Sequence, residues 1–402
     1  MRIVHLTNYF MPEFGYQEYY LAKYHSEMGH EVHVICSNRT YPKQREYKVF
    51  SDVYNKRIIK PGKKEVEDFT IHYLPAYFEV NMQLFLKGLF KKLKEIKPDI
   101  IFAHGLNRWT TILVAIWKKF LCKDVVLIAD DHTLYSAYVP TYYRRIWYLI
   151  FKKIIKFLLP VFNQIIAVSN ETKKFLVDKF EIPTEKIIVL PIGVDCEKFI
   201  FSEENRKKIR EKLGIPENAF VIIYAGKIVP ERGCDLVYEV SKDYLKNKHN
   251  VYLLYVGSGI KSQFAQDIRN RALNDGVDNR VLWHNHVDHD ELPAFYSAAN
   301  VAIWPFQETM SALEASACGL PIILRNSDIA KERVAGGNGF ACATIEEQKI
   351  ALGQLIENGA LRKEMGEKGV KYMRERFCWR KIAEQFIEVA LLHREKYKIK
   401  MP

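Results

Sequence analysis

Two stretches of this sequence carry charged side chains at spacings suited to binding a nucleotide. Lys227 and Arg232 follow an apolar run and a glycine, and two cations beside a glycine turn could clamp a diphosphate. Glu314 is the one acidic residue in a predicted helix of small side chains at 311–318. A carboxylate that packs close to a sheet needs a partner, and the vicinal hydroxyls of a ribose would supply one. The alternatives are solvated charges on a surface turn and a capped helix that turns Glu314 toward water.

The elements that would position these residues follow a repeating order. Apolar runs of strand length alternate with helical patterns, at 3–7, 31–36, 100–103, 125–129, 164–168 and 186–190. The pattern then restarts at 220–225, 251–256, 280–284, 301–304 and 321–324. Alternating strands and helices predict parallel sheets with helices on both faces, so we expect an α/β protein of two Rossmann-like domains. Residues 191–199 contain Pro and Gly but little periodicity, and we interpret them as the interdomain linker.

Length and composition narrow the class of protein. The chain has 402 residues, of which 48% are hydrophobic, enough to give a core to each of two or three domains. Its seven cysteines include no C-x-x-C pair, which argues against a zinc site or a disulfide framework and favours a reducing compartment. No signal peptide follows Met1, and no apolar run reaches the roughly 18 residues of a membrane span. We therefore expect a cytoplasmic protein that is soluble or peripheral to the inner face of a membrane.

The net charge of +12 is concentrated in the first half of the sequence. Two predicted helices, at 83–97 and 144–159, combine basic with apolar side chains, as helices that bind anionic membrane surfaces do. The residues of this predicted membrane face are Lys87, Lys91, Lys94, Arg145, Trp147, Lys152 and Lys156. The alternative is a pair of buried helices whose lysines extend to solvent. We expect no nucleic acid partner, because the sequence has no recognised nucleic-acid motif.

One motif adds a family resemblance to these patterns. The segment EASACGLPII, which begins at Glu314, resembles the signature of family 4 glycosyltransferases, which are retaining sugar-nucleotide enzymes of the GT-B fold. The segment PIGVDCEKF at 191–199 is similar to the family's interdomain junction, and the resemblance extends from MRIVHLTNYFMPE to a closing helix near 382–393. It implies two domains, at 1–190 and 200–380, that face each other across a central cleft. It also implies that residues 381–402 pack back on the first domain.

The resemblance assigns roles to several residues of the first domain. Gly15, in the loop after the first strand, would admit a diphosphate near the start of the following helix. His132, at the end of a strand, would hydrogen-bond the donor sugar and the reacting centre. Tyr9, Phe10 and His104 would lie on the acceptor side, with core packing as the alternative for Tyr9 and Phe10.

The signature departs from the family pattern at one position. Family members usually carry a glutamate, seven residues and a second glutamate, but Phe306 stands in the first place when one counts back from Glu314. The loop before Glu314 resembles shortened versions found in the family. Either Glu308 or backbone amides of that loop would then contact the donor sugar. Those amides belong to Thr309, Met310 and Ser311.

Together these features predict a retaining glycosyltransferase. A UDP- or GDP-linked sugar would be held through Lys227, Arg232, Gly257 and Glu314, although the family usually has Arg before Lys. The resemblance implies no metal or other cofactor, because cations and helix dipoles neutralise the leaving diphosphate in GT-B enzymes. The acceptor would be a lipid-linked or membrane-proximal glycan. The alternatives are another GT-B enzyme, such as an epimerase or phosphorylase, and a non-catalytic scaffold of a glycan-assembly complex.

Overall fold

The computed structural model describes residues 1–12, 15–41, 57–66, 69–135, 141–306 and 309–398. The chain forms two compact units. Unit 1 consists of Met1–Ile192 and the segment that begins at Trp379, and unit 2 consists of Gly193–Cys378. The predicted linker at 191–199 therefore spans the division between Ile192 and Gly193, and the predicted second boundary at 380 lies beside the division after Cys378.

Unit 1 is built on an eight-stranded sheet, ordered β10-β9-β8-β7-β1-β2-β4-β3, and a separate hairpin of β5 and β6. All neighbouring strands of the sheet are parallel except β3 and β4. The strands are β1 Arg2–Leu6, β2 Glu31–Ser37, β3 Gly62–Val66, β4 Phe69–Leu74, β5 Ala76–Val80, β6 Gln83–Leu86, β7 Ile100–His104, β8 Val126–Asp131, β9 Gln164–Ala167 and β10 Ile187–Val189. The first helices are α1 Gln17–Glu27, α2 Leu89–Ile96, α3 Trp109–Leu121, α4 Tyr142–Leu158 and α5 Asn170–Phe180.

Unit 2 has a six-stranded sheet in which every pair is parallel, ordered β13-β12-β11-β14-β15-β16. Its strands are β11 Phe220–Ala225, β12 Val251–Val256, β13 Val281–His284, β14 Val301–Trp304, β15 Ile322–Arg325 and β16 Gly339–Cys342. Its helices are α6 Glu203–Leu213, α7 Cys234–Asn247, α8 Gln263–Asn274, α9 Leu292–Ala298, α10 Met310–Ala317, α11 Asp328–Val334, α12 Ile345–Glu357 and α13 Gly359–Tyr372. Central strands such as β11 are buried along their whole length, because helices cover both faces of a parallel sheet.

The last helix, α14 Trp379–Lys398, belongs to unit 1 and completes one face of its sheet. It packs beside α1, where the Trp379 ring stacks on Tyr20 with centroids 5.5 Å apart. Ile382 and Phe386 are fully buried in the same core cluster. The other face is covered by α2, α3, α4 and α5, with Phe151 and Phe175 at its centre. In the part of the chain that the structure describes, no helix combines the length and hydropathy needed to cross a bilayer.

The predicted helix at 83–97 is wrong in its first half. Gln83–Leu86 pairs with Ala76–Val80 as a strand, and Gly88, with φ +82°, makes the turn into α2. Lys87 therefore precedes the helix instead of sharing its face with Lys91 and Lys94. The apolar residues that suggested one helix belong to two elements. Those of 83–86 follow the two-residue period of a strand, and those of 89–96 follow the period of a short helix.

Candidate functional site

The carboxyl ends of the unit 1 strands gather polar side chains at the point where the strand order reverses. In the sheet, β2 lies on one side of β1, whereas β7 and then β8 lie on its other side. Ligands bind parallel sheets at such a reversal. Asp130, near the end of β8, is 2% exposed and accepts three hydrogen bonds at this edge. They come from His104 Nδ1 at 2.6 Å, Gln17 Nε2 at 2.8 Å and the Gly105 N–H at 2.9 Å.

The Asp130 carboxylate stays ionised because two histidines lie beside it. Burial acts to raise its pKa, but His104 and His132 outweigh burial and hold the pKa well below its usual range. The next residue, Asp131, faces differently, and burial raises its pKa although its Oδ1 accepts the Thr133 N–H at 2.8 Å. Two adjacent carboxylates thus have opposite preferences for a proton.

His132 is the member of this cluster that reaches solvent. Its side chain is 39% exposed, and its Nε2 lies 3.6 Å from Asp130 Oδ1. Burial acts to lower the pKa of His132, but the hydrogen bond and charge of Asp130 outweigh it and raise the pKa. A partly exposed imidazole whose pKa is raised can donate a hydrogen bond or a proton to a ligand at the sheet edge.

Three of the residues assigned to the acceptor side are buried. The Tyr9 hydroxyl donates to Glu79 Oε1 at 2.6 Å, and burial followed by that contact raises its pKa above the ordinary value. Phe10 lies in the core with its ring edge-on to Phe69, which was the alternative interpretation. His104 is also buried, with its two ring nitrogens engaged by other side chains, so it can affect a ligand only through Asp130 or His132.

Gly15 lies two residues before α1 and has φ +57°, a left-handed conformation that favours glycine. Its N–H donates to the Pro12 carbonyl at 3.1 Å. Gln17, the first residue of α1, is tied to Asp130 by its side chain. The turn therefore presents the first turn of α1 beside the Asp130 cluster.

In unit 2, the strand order reverses between β11 and β14, and the loops that follow these strands carry the candidate donor residues. The loop after β11 packs directly on the loop after β12. A Cβ on Gly257 would lie 1.8 Å from the Gly226 carbonyl oxygen, so glycine is required there for backbone packing. The Gly257 N–H already donates to the His284 carbonyl at 3.0 Å. Its amide is therefore engaged by protein, and its role lies in loop packing.

Lys227 and Arg232 both follow β11, at the edge where the order reverses. The Lys227 carbonyl accepts from the Tyr224 hydroxyl at 3.1 Å and from Cys234 Sγ at 3.3 Å, which fixes the loop backbone. Arg232 ends a single 3-10 turn, Pro230–Arg232, and is partly exposed. Its guanidinium forms no hydrogen bond or ion pair with another residue that the structure describes.

Glu314 has protein partners that the sequence argument did not supply. It is 7% exposed, and its oxygens accept from His289 Nε2 at 2.9 Å and the Tyr296 hydroxyl at 3.2 Å. Lys198 Nζ lies 2.9 Å from His289 Nδ1, and because an ammonium only donates, His289 is neutral with its proton on Nε2. The premise that Glu314 lacks a partner was wrong, although a carboxylate can accept about two further hydrogen bonds.

The loop before Glu314 is only partly described. Glu308 lies outside the described residues, and Thr309 directly precedes α10. The Thr309 carbonyl accepts from Arg333 at 2.6 Å, while its hydroxyl is buried without a partner among the described residues. Phe306 packs on Gly233, and the Arg325 guanidinium lies 5.0 Å from its ring centroid. The place of the family's first glutamate is therefore apolar.

The residues of the predicted membrane face differ in their exposure and in their partners. Lys152 Nζ pairs with Glu181 at 2.6 Å and Lys156 lies 3.6 Å from the same carboxylate, which offsets much of their charge. Trp147 packs inward against Phe151, with centroids 4.4 Å apart. The remaining cations of this face are exposed: Lys87, Lys91, Lys94 and Arg145.

The apolar part of that surface is formed by a larger set of residues than the predicted face. They are exposed side chains of α3, α4 and the β5–β6 hairpin: Ile116, Phe120, Leu121, Tyr142, Ile146, Leu149, Ile150, Phe157, Tyr77, Phe78 and Val80. Lys119 Nζ lies 3.6 Å from the Phe157 ring centroid, so α3 and α4 meet at this surface. A cavity of about 570 Å³ opens beside Lys94 and Leu121, at the sheet edge opposite Asp130.

Sequence reasoning missed the side chains that hold the candidate residues in place, namely His5, His25, Lys198, His289 and Tyr296. A signal was present for His5, because a polar residue in the apolar strand RIVHL must find a buried partner. Among the described residues, no group of three His, Cys, Asp or Glu side chains is placed to hold a metal ion.

Comparison with known proteins gives consistent matches over most of the chain. The model of Glycosyltransferase Family 4 matches residues 18–198, and that of Glycosyl transferases group 1 matches residues 205–372. An uncharacterised glycosyltransferase of Methanocaldococcus jannaschii is 23% identical over 405 residues, covering 97% of this chain and 98% of that protein. The alpha-monoglucosyldiacylglycerol synthase of Streptococcus pneumoniae is 28% identical over 273 residues, 64% of this chain and 60% of that enzyme. The solved structure of Anabaena HepE in complex with UDP matches with a TM-score of 0.69 and 16% identity, covering 96% of this chain and 99% of that one.

Proposed function

We propose that this protein is a retaining enzyme that moves a sugar from a nucleoside diphosphate to a lipid-linked acceptor. The proposal starts from the family and the fold: the chain belongs to the family 4 type of glycosyltransferases and has the GT-B fold. The product would be a glycolipid, a lipid-linked oligosaccharide or a surface polysaccharide. Relatives support each half of this proposal: HepE was solved with UDP, and the pneumococcal relative is named as the synthase of a glycolipid.

The donor diphosphate would bind unit 2 through Lys227 and Arg232. The observation that carries this assignment is the Arg232 guanidinium, which lies at the reversal point of the sheet and has no partner among the described residues. The first-turn N–H groups of α10, at Met310 and Ser311, add positive charge at the same sheet edge. These fixed positive groups would stabilise the leaving diphosphate, which is the main electrostatic requirement of the reaction.

Thermal unfolding in the presence of UDP, GDP, ADP and CMP tests this assignment. A nucleotide at 100 times its dissociation constant adds about 2.7 kcal/mol, so one diphosphate should raise Tm by several degrees. Arg232→Ala should weaken its binding by roughly 10- to 100-fold, because charge-assisted hydrogen bonds contribute about 1.5–3 kcal/mol. Lys208→Ala, which removes an exposed cation of α6, should leave binding unchanged. Equal affinities in the two variants would contradict the donor site.

His132 would hydrogen-bond the transferred sugar, with Asp130 holding its proton in place. Glu314 would keep the His289 and Tyr296 side chains fixed beside the donor loops and use its remaining lone pairs for the ribose. His132→Ala should lower kcat much more than it changes nucleotide binding. Retention is tested separately, by NMR assignment of the anomeric configuration of donor and product.

The acceptor would be reached at the cytoplasmic face of a membrane, to which the exposed surface of α3, α4 and the hairpin would bind. Its apolar side chains and lysines are the combination that anionic lipid interfaces bind. The protein should co-sediment with phosphatidylglycerol vesicles more than with phosphatidylcholine vesicles. Leu149→Glu should reduce this binding, whereas Leu273→Glu should not, since Leu273 is equally exposed (61% against 59%) on unit 2. Equal sedimentation of both variants would contradict the proposal that this surface binds membranes.

A further inference from the structure

A line of three buried histidines connects Asp130 to the C-terminal helix. His104 Nε2 lies 3.0 Å from His5 Nδ1, and His5 Nε2 lies 3.1 Å from His25 Nδ1. The line ends where His25 Nε2 meets the Ala383 carbonyl of α14 at 3.0 Å. All three rings are buried, and the His5 ring is stacked with both of its neighbours.

The hydrogen-bond partners fix how many protons this line holds. A carbonyl only accepts, so His25 must carry a proton on Nε2. Each of the two His–His contacts needs one proton, and the contact between His104 and Asp130 needs another. Four protons therefore occupy the line, whereas three neutral imidazoles supply only three. One additional proton resides on a histidine, with Asp130 ionised, or else on Asp130.

Electrostatics decides which group holds the additional proton. Asp130 also accepts from Gln17 and from the Gly105 N–H, and both bonds favour its carboxylate form. Among the three rings, His104 is the nearest to that negative charge, at 2.6 Å. Burial acts against a charged His104, but Asp130 outweighs it and raises the pKa. Burial lowers the pKa of His25 to about 3 and that of His5 well below its ordinary value.

We propose that His5 and His25 are positioning residues for the transfer reaction, which orient the N–H groups of the two His–His contacts and of the contact with Ala383 away from Asp130 and thereby keep the additional proton on His104, whose Nδ1–H donates to Asp130. In this arrangement His104 donates to His5, His5 donates to His25, and His25 donates to Ala383. The His104 imidazolium balances the Asp130 carboxylate, which remains the acceptor that orients His132. The proposal rests on the proposed role of His132 at the reacting centre.

Charged groups of neighbouring elements also act on the line. Those that act on its members from neighbouring elements are Glu18, His30, Asp130 and His132. Glu18, on α1, favours a charged His104, whereas His30 disfavours a charged His25. Both effects place the proton at the Asp130 end of the line, and although His132 acts against a charged His104, Asp130 and Glu18 outweigh it.

Two substitutions of His25 separate this proposal from a role in packing alone. His25→Phe keeps a ring but removes both hydrogen bonds. His25→Gln can keep both, but only with its amide N–H donating to Ala383 and its oxygen accepting from His5, which is the proposed direction. Nitrogen-15 NMR of labelled histidines reports the proton at each ring nitrogen and needs no substrate, so its result is independent of whether the proposed function holds.

The wild-type protein should show His104 protonated on both nitrogens at pH 7, with His5 and His25 neutral. His25→Phe should let the additional proton leave near neutral pH, and the uncompensated Asp130 should then move the titration of His132 upward by about 1–3 pH units. His25→Gln should retain the wild-type pattern. A neutral His104 in the wild type, or a His25→Gln variant that titrates like His25→Phe, would overturn the proposal. If His25→Phe does not fold, the wild-type and His25→Gln spectra still decide it.

Discussion

Asp130→Asn tests the ion pair at the centre of the unit 1 cluster. Asp130 accepts from three N–H donors, and an asparagine amide must turn its NH₂ toward at least one of them. The change also removes the charge that balances His104. Removing one partner of a buried ion pair costs about 3–5 kcal/mol, because the other is left without compensation. We expect the free energy of unfolding of unit 1 to fall by that amount near pH 6.

The effect should depend on pH in a defined way. The pKa of Asp130 is lowered in the folded state, so its contribution is complete above the unfolded value of about 3.9 and is lost as the pH falls below it. The pKa of His104 is raised, so its contribution is complete below the unfolded value of about 6.5 and is lost as the pH rises through the folded value. The difference between wild type and Asp130→Asn should therefore be largest between about pH 4 and 6.5.

Asp131→Asn is the matched control, one residue further along the same strand. Burial raises the pKa of Asp131, so its carboxylate costs folding energy above about pH 4, and asparagine can still accept the Thr133 N–H. This control should be neutral or slightly stabilising at pH 7. Urea unfolding followed by hydrogen-exchange mass spectrometry distinguishes unit 1 peptides from those of unit 2. Equal losses in the two variants, or a loss that does not vary with pH, would refute the ion pair.

Three further substitutions test other parts of the structure by the same method. Gly257→Ala should destabilise unit 2 by about 3 kcal/mol or more, because its Cβ would overlap the Gly226 carbonyl. Gly276, with φ +68°, has open space around it, so Gly276→Ala should cost only about 1 kcal/mol. Similar losses in the two variants would contradict the loop packing. Arg210→Met should cost about 3–5 kcal/mol, since the buried guanidinium donates to four carbonyls and one side-chain oxygen, and a loss under 1 kcal/mol would contradict that role. Burial lowers the pKa of Lys118 to about 8, so wild-type stability should rise from about pH 8 to 10, and Lys118→Met should remove that rise.

Much of the fold could be predicted because parallel strands buried on both faces read as continuous apolar runs. The predicted limits of β11, β12 and β14 agree with the structure, and the others differ by one or two residues. One of the strands that were missed, β3, lacks this signal. β3 reads GKKEV and is largely exposed, so its pairing depends on β4 and not on its own hydrophobicity.

The candidate site was harder to predict, because its residues depend on contacts between distant segments. Sequence position at a strand end was enough to select His132 and Arg232 for inspection. It could not reveal that Glu314 has His289 as a partner, or that His25 meets Ala383 from the far end of the chain. Sequence patterns locate the loops at a sheet edge, whereas tertiary packing decides which loop side chains remain available to a ligand.

The placement of α14 in unit 1 has a consequence for how the protein is made. Trp379, Phe386 and the Ala383 carbonyl are translated only after the whole of unit 2 has been synthesised. During translation, Tyr20 and the His25 ring therefore lack the helix that covers them, while unit 2 already has all its strands. Unit 2 can fold first, although it lies second in the sequence, and unit 1 can reach its final hydrogen-bonding only after α14 has left the ribosome. A nascent chain stopped before α14 should expose this face of unit 1 to chaperones and proteases.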